Sequence, residues 1–579
     1  MAEIEVKVKH QGKLYDIAVN TESTGEELKY QLYSLTNVEP ENQKVLAGKI
    51  VKDDTPLSSL KLKKGATITL IGSPSAQNVV EVPREKMKFA EDMTEAELAQ
   101  QEGATPAGLQ NTGNTCYANA SLQVLRTIPE LQDALKTYTA PPAASSSLFS
   151  ADQLQQHGIG GLGSGGDLTG ALRDLYHQMS ETQQGFPPIM FLTTLRNKFP
   201  QFNERAKQGH GYAQQDAEEM WTNVVTTLRD SLKVNNDDQH NNWVSKYMGG
   251  KSEVEMTCDD APEEPSSVNT EDFNTLKCNI QVDTNHLSEG LRLAMDEKIE
   301  KNSETLGRTA NYTRKYRISR LPKYLPVHMM RFFWRRDTQK KAKIMRKVTF
   351  QHEIDLLEFC TEDLRKKLIP VRDKIREVRK EEEDVERQKK RQRRMKKEAE
   401  ENADSNVRSD EPLQKKKDKE KERETKAKGP DSEGELAAEK KAAGGSQDVE
   451  MIDGETFKTD EEIDREKNEQ ILASKKELLS LVNEDMKKDA TANQTGLYEL
   501  RGVVTHQGSS ADSGHYTAYV KKTATPGKAE DGKWWWFNDD KVQEVESEKI
   551  ETLAGGGESH SALILLYRAV ELPKVEEGQ

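Results

Sequence analysis

Cys116 stands where a helix is due to begin. The segment Gly108-Leu109-Gln110-Asn111-Thr112-Gly113-Asn114-Thr115-Cys116-Tyr117-Ala118-Asn119-Ala120 puts amide side chains and glycines just before it. Ala118, Leu122 and Leu125 follow at i, i+4 and i+7, an apolar helical stripe. Asn114 or Thr115 is placed to cap that helix. A thiol at this end meets the positive pole of the helix dipole, which favours the thiolate, the form that attacks carbonyls. His515 follows 399 residues later in Ser513-Gly514-His515-Tyr516-Thr517-Ala518-Tyr519, and Asn538-Asp539 begins 23 residues after that. A cysteine, a histidine and an Asn/Asp in this order form a nucleophile, a base and an orienter.

These two segments closely resemble the Cys box and His box of the ubiquitin-specific proteases. The resemblance covers nearly the whole chain apart from a charged insert, and the N-terminus narrows it to the proteasome-associated branch with a ubiquitin-like domain. It implies an α+β fold: a papain-like hand of thumb, palm and fingers, preceded by a β-grasp domain. It also implies a cysteine protease that cuts isopeptide bonds at the C-terminal glycine of ubiquitin. The implied partners are ubiquitin, polyubiquitinated proteins and the 26S proteasome regulatory particle.

Composition sets the outer limits. A chain of 579 residues holds two or more folding units. A hydrophobic share of 34% against 32% charged leaves part of it unpacked. The net charge of −14 makes nucleic acid an unlikely partner. The four cysteines, Cys116, Cys258, Cys278 and Cys360, form no C-x-x-C pair, so no metal or other cofactor is expected. With no signal peptide and no run of 18 apolar residues, the expectation is a protein off the membrane, in the cytoplasm and nucleus.

The elements that must position these residues fall into blocks. Residues 1–74 read as a small β-rich domain. Ile4, Val6 and Val8 alternate, as do Tyr15, Ile17 and Val19, and Gly25 to Leu35 has a helical pattern. Gln43 to Lys49 and Ala66 to Ile71 add strands, and the order resembles ubiquitin. Val45 and Ile71 fall where ubiquitin keeps its apolar patch and are the candidate proteasome-docking residues; strand periodicity equally permits both to be core. Residues 75–104 form a linker, 105–570 the catalytic domain and 571–579 a tail. A low-complexity loop runs from Pro141 to Gly166. The insert spans about 376–460, and no aromatic residue occurs between Phe359 and Phe457. So few apolar groups predict disorder or a solvated helix. Arg387 to Lys397 holds eight basic residues in eleven: a nuclear import or nucleic-acid patch, or simply a solvated charge run. Ile471, Leu478 and Val482 restore helical spacing before strands at Leu497 to Thr505 and His515 to Lys521.

The resemblance implies further roles. Asn111 donates to the oxyanion with the Cys116 backbone N–H. The commonest family pattern has Asp where this chain has Asn538, so either Asn538 or Asp539 orients His515. His506 lacks the Gly-His-Tyr context and reads as structural. Asp216 and Glu219 meet arginines of bound ubiquitin, or else simply favour a helix N-terminus. Lacking the paired cysteines, any fingers are metal-free. Two loops gate the groove: one entered through Phe332 and Trp334, the other holding Ser509, Ser510 and Ser513. Independently of the resemblance, a serine-rich loop beside the base suggests that phosphorylation of Ser509, Ser510 or Ser513 opens it. A second reading is a proteasome-bound ubiquitin receptor or allosteric regulator acting mainly without catalysis. A general papain-type peptidase fits less well, with no propeptide or disulfide framework in view.

Overall fold

The alternating apolar residues of the N-terminus zip into a hairpin. The computed structural model describes residues 3–72, 93–140, 167–407 and 460–573, apart from 11–12, 37, 61, 64, 102, 207–210, 235–236, 238, 336, 338–339, 511–512, 524–529 and 558. The chain divides into two compact units, Met1–Met93 and Thr94–Gln579. Strand β1 (Glu3–His10) pairs antiparallel with β2 (Lys13–Asn20), and helix α1 (Gly25–Thr36) follows. Then come β3 (Lys44–Leu46), β4 (Ile50–Val51) and β5 (Thr67–Ile71). The sheet order is β2-β1-β5-β3-β4, with β1 and β5 parallel. Val6, Val8, Ile17 and Val19 point inward against Leu28 and Leu32 of α1. This is the expected β-grasp. One expectation fails: Val45 is fully buried in that core. Successive strand residues point to opposite faces, so an inward Val45 turns Lys44 and Leu46 outward. Ile71, paired with Lys44, is 52% exposed, and Ile50 is 63% exposed.

The second unit is built around a helix with no exposed side. In α2 (Cys116–Leu125) all ten residues are buried. It packs in one core with α3 (Leu168–Ser180), α4 (Ile189–Lys198) and α5 (Ala217–Ser231), through Leu122, Leu172, Leu195, Trp221 and Leu228. The strands that follow are β6 (Gly250–Cys258), β7 (Ser267–Phe273), β8 (Leu276–Asn279), β9 (Asp296–Asn302), β10 (Thr309–Arg320) and β11 (Tyr324–Met330). After them come β12 (Phe332–Arg335), β13 (Lys340–Lys343) and β14 (Glu353–Asp355). The last group is β15 (Leu497–Ser510), β16 (Ser513–Lys521), β17 (Trp534–Asn538), β18 (Lys541–Val545) and β19 (Ser561–Ala569). A ten-stranded sheet has the main path β18-β17-β16-β15-β19-β11-β8, with β12, β13 and β14 joined beside β15. Its centre is covered on both faces, so β19 reads Ala562-Leu563-Ile564-Leu565-Leu566-Tyr567, a continuous apolar run. A separate four-stranded sheet, β7-β6-β10-β9, is held near its tip by Glu264, which accepts from Tyr312 Oη and Ser303 Oγ at 2.8 Å each. Among the described residues no group of three or more His, Cys, Asp or Glu is arranged around a metal.

The described part of the charged insert takes the second of its two expected forms, a solvated helix, but on an apolar root that was not expected. Helix α6 (Glu362–Val407) runs straight into it, and α7 (Asp460–Leu481) returns. Val371, Ile375 and Val378 are buried at the root, where Val371 and Ile375 share a small core with Leu478, Val482, Leu497 and Val570. Farther out the contact becomes ionic, with Lys475 Nζ 2.6 Å from Glu382. Arg372 and Arg376 bind Asp355, and Arg379 binds Glu353, which ties α6 to β14. The apolar root escapes a composition reading because its two halves lie about 100 positions apart in sequence. Residues 408–459, the 141–166 loop and most of the linker and tail lie outside the described residues.

Candidate active site

The loop before Cys116 is organised by one amide. Asn111 Oδ1 accepts from Gly113 N at 3.0 Å, Thr115 N at 3.2 Å and Thr115 Oγ1 at 3.3 Å. Asn114 adopts the left-handed conformation (φ 52°) and donates through Nδ2 to Tyr212 O at 2.9 Å. The guanidinium groups of Arg196 and Arg205 lie over the Tyr212 ring, 3.6 and 4.3 Å from its centre. Thr115 is the N-cap, but its side chain makes no capping bond; its Oγ1 accepts from Thr112 N instead. The expected side-chain cap is absent because both candidate residues serve the loop.

Cys116 is 3% exposed, and burial pushes its thiol up to about 11. The backbone N–H of Tyr516 pulls the other way, the Asp539 charge adds to the rise, and the N–H groups of Tyr117 and Cys116 at the helix start lower it again. The helix dipole alone would favour the thiolate. Desolvation outweighs it here, so the thiol is protonated at neutral pH in this resting arrangement.

His515 sits on β16 directly before Tyr516. Gly514 has φ 130°, and a Cβ there would stand 2.1 Å from Gln507 O and 2.6 Å from His506 Nε2. Only glycine lets β15 and β16 close on each other at this point. His515 Nε2 is 2.6 Å from Asn538 Oδ1, while Asp539 Oδ2 is 3.9 Å away. An amide oxygen only accepts, so Nε2 carries the proton and Nδ1 is left as the basic nitrogen.

Asp539 occupies the turn between β17 and β18 with φ 53°. Its Oδ1 accepts from Asn119 Nδ2 at 2.8 Å, its Oδ2 from Asn111 Nδ2 at 3.1 Å, and its backbone O from Leu109 N at 3.0 Å. Gly108 and Gly185 close around the next residue: a Cβ on either would lie 2.5–2.6 Å from Asp540 atoms. Segments more than 400 residues apart are thereby fastened at the nucleophile. Asn119 carries no local signal in the sequence, since α2 also holds the buried polar residues Ser121 and Gln123.

The remaining candidates are placed as follows. His506 is fully buried, edge-on to Tyr516 at 4.7 Å and to Phe332 at 5.5 Å. Burial, then the Lys343 charge, lowers it to about 3, a neutral packing histidine. Lys343 Nζ donates to His506 O at 2.7 Å, and burial lowers that amine to about 8. The two segments expected to gate the groove are strand hairpins joined into one edge. In the first, Phe332 pairs with Lys343 and Trp334 with Lys341; Ala342 of β13 then pairs with Ser510, and Ser510 with Ser513. Ser509 lies in β15, while Ala511 and Asp512 fall outside the described residues. Asp216 caps α5 by accepting from Glu218 N at 3.0 Å, Glu219 is exposed, and Glu218 meets His328 Nδ1 at 3.0 Å.

Comparison with known proteins agrees along the whole length. Residues 107–567 match the family model described as ubiquitin carboxyl-terminal hydrolase, and residues 4–75 match the ubiquitin family. The chain is 36% identical to ubiquitin carboxyl-terminal hydrolase 6 of Schizosaccharomyces pombe, over 98% of this chain and 99% of that one. It is 34% identical to ubiquitin carboxyl-terminal hydrolase 6 of Arabidopsis thaliana, over 97% and 98%. It is 28% identical to ubiquitin carboxyl-terminal hydrolase 14 of Caenorhabditis elegans, over 97% and 93%. The chain belongs to the ubiquitin carboxyl-terminal hydrolase family, as a thiol-dependent deubiquitinating protease of the ubiquitin-specific type with an N-terminal ubiquitin-like domain.

Proposed function

We propose that this enzyme hydrolyses isopeptide bonds at the C-terminal glycine of ubiquitin on proteasome-bound conjugates, docked and activated through its ubiquitin-like domain. The observation that carries the chemistry is the 2.6 Å contact between His515 Nε2 and Asn538 Oδ1, which leaves Nδ1 basic. His515 takes the thiol proton as Cys116 attacks the glycine carbonyl, since the buried thiol does not ionise on its own. Asn111 has a second amide hydrogen to offer the oxyanion beside the Cys116 N–H. Its loss would slow the reaction by ~10²–10³. His515 then protonates the leaving lysine amine, and water releases ubiquitin from the thioester with His515 again as base. Asn538 orients the imidazole, and Asp539 supports it from 3.9 Å.

Glu219 and the capping Asp216 stand ready for arginines of ubiquitin at the start of α5. Of the two expected docking residues, Ile71 and not Val45 is exposed and so available for docking the proteasome regulatory particle. A cytoplasmic and nuclear location goes with that partner. The joined hairpins beside His515 favour a second reading, a receptor or allosteric regulator in which hydrolysis is incidental.

One experiment separates the two. A fluorogenic ubiquitin C-terminal substrate is given to wild type and Cys116→Ala, each with and without proteasome stripped of its own deubiquitinases. Strong stimulation, abolished in Cys116→Ala, is expected. No turnover in either setting, with ubiquitin still bound, would leave the receptor reading.

A further inference from the structure

Asn119 lies three residues beyond Cys116 on α2 and is 2% exposed. Its Nδ2 donates to Asp539 Oδ1 at 2.8 Å, Leu109 O at 3.1 Å and Gln110 O at 3.3 Å. All three partners are acceptors only, so the amide nitrogen must face them. Its Oδ1 is buried with no hydrogen-bond partner among the described residues. The other side of the amide, the nitrogen, makes all of these contacts.

That other side grips a carboxylate next to the reaction. Asn119 takes Oδ1 of Asp539 and Asn111 takes Oδ2, so both oxygens are held by amides from the nucleophile's own segment. A carboxylate released from this grip would be drawn to the imidazole 3.9 Å away, displacing Asn538 and turning the Asn111 amide.

We propose that Asn119 is a positioning residue for hydrolysis that acts through Asp539. It holds the carboxylate off His515, so that Asn538 takes the imidazole, and it keeps Asn111 aimed at the oxyanion. This rests on the reaction proposed above. Asn119 touches neither substrate nor proton; it sets the spacing between helix α2 and the β17–β18 turn, where a misplacement of about 1 Å costs about 10²-fold in rate.

The test is a double-mutant cycle with the fluorogenic ubiquitin substrate on the full chain. Asn119→Ala is expected to lower kcat by about 10²-fold with KM unchanged. Adding it to Asp539→Ala should cost nothing further, because the group it acts through is already gone. Effects that multiply in the double variant would overturn the proposal and leave Asn119 as a prop for Leu109 and Gln110. Asn119→Asp guards against a variant that merely unfolds. It keeps the size but sets acceptor against acceptor, and combining it with Asp539→Asn returns a donor to the contact. Partial recovery of kcat over Asn119→Asp alone is expected, because Leu109 O and Gln110 O still face an acceptor, and no recovery counts against the proposal. Wild type and Cys116→Ala run alongside separate a failure of this inference from a failure of the reaction itself.

Discussion

Asn538 Oδ1 lies 1.3 Å nearer to His515 Nε2 than Asp539 Oδ2 does, at 2.6 against 3.9 Å. The neutral amide, not the adjacent carboxylate, takes the imidazole. Replacing Asn538 by Ala should lower kcat by about 10²-fold through loss of ring orientation. Asn538→Asp should keep orientation but place a full negative charge on Nε2–H. That charge favours the imidazolium over the neutral ring. The acidic limb of the kcat/KM profile should therefore move up in pH. An unmoved limb would transfer the orienting role to Asp539.

Burial of Cys116 makes a second prediction. A thiol raised to about 11 stays protonated through the physiological range, and its thiolate fraction grows about tenfold per pH unit below that value. Alkylation of the free enzyme by iodoacetamide should be slow at pH 7 and climb steadily to pH 10. A plateau beginning near pH 6 would instead show a preformed thiolate–imidazolium pair.

Gly514 is irreplaceable on steric grounds. Alanine there must tolerate φ 130° and a Cβ 2.1 Å from Gln507 O. The backbone strain alone is about 1–3 kcal/mol, before any clash is relieved. Gly514→Ala should lower the melting temperature and abolish turnover together, read by calorimetry and the substrate assay.

The helical pair projecting from the catalytic unit should be stable at its root and tolerant along its length. Leu478→Ala empties a fully buried position and should cost about 2–5 kcal/mol. Lys475→Ala removes a part-exposed ion pair with Glu382 and should cost less than about 1 kcal/mol. Urea unfolding of the two variants measures the contrast.

In the ubiquitin-like domain, Val45→Asp and Ile71→Asp should diverge. The first places a charge in the core and unfolds the domain. The second leaves it folded, by circular dichroism, but removes stimulation by the proteasome. Equal stimulation of Ile71→Asp and wild type would move docking to another face.

Much of this was readable beforehand. The nucleophile and base sit in contiguous boxes whose neighbours carry local signals: glycines with required conformations and an apolar stripe. The β-grasp domain was legible because its first hairpin alternates at Ile4, Val6 and Val8 and again at Tyr15, Ile17 and Val19. Val45 was misplaced because β3 is three residues long, too short for alternation to tell inside from outside. The root of the projecting helices was hidden because Ile375 is buried by Leu478, which no local window contains. Asn119 was silent for the same reason: its partner is 420 residues away. The thiol was misjudged because a dipole is local, whereas desolvation depends on everything packed above it.

The projecting pair also bears on how the enzyme could be divided. Nucleophile and base lie on opposite sides of it in sequence, and its two strands of chain meet again at Val371, Ile375, Leu478 and Val482. A cut between Val407 and Asp460 would separate the polypeptide into one piece bearing Cys116 and another bearing His515, Asn538 and Asp539. Each piece would also have to supply strands to the same central sheet, since β19 lies between β15 and β11. Activity from such halves would depend on protein concentration, and a tether replacing residues 408–459 would need only to span the far ends of two adjacent helices, whatever its composition.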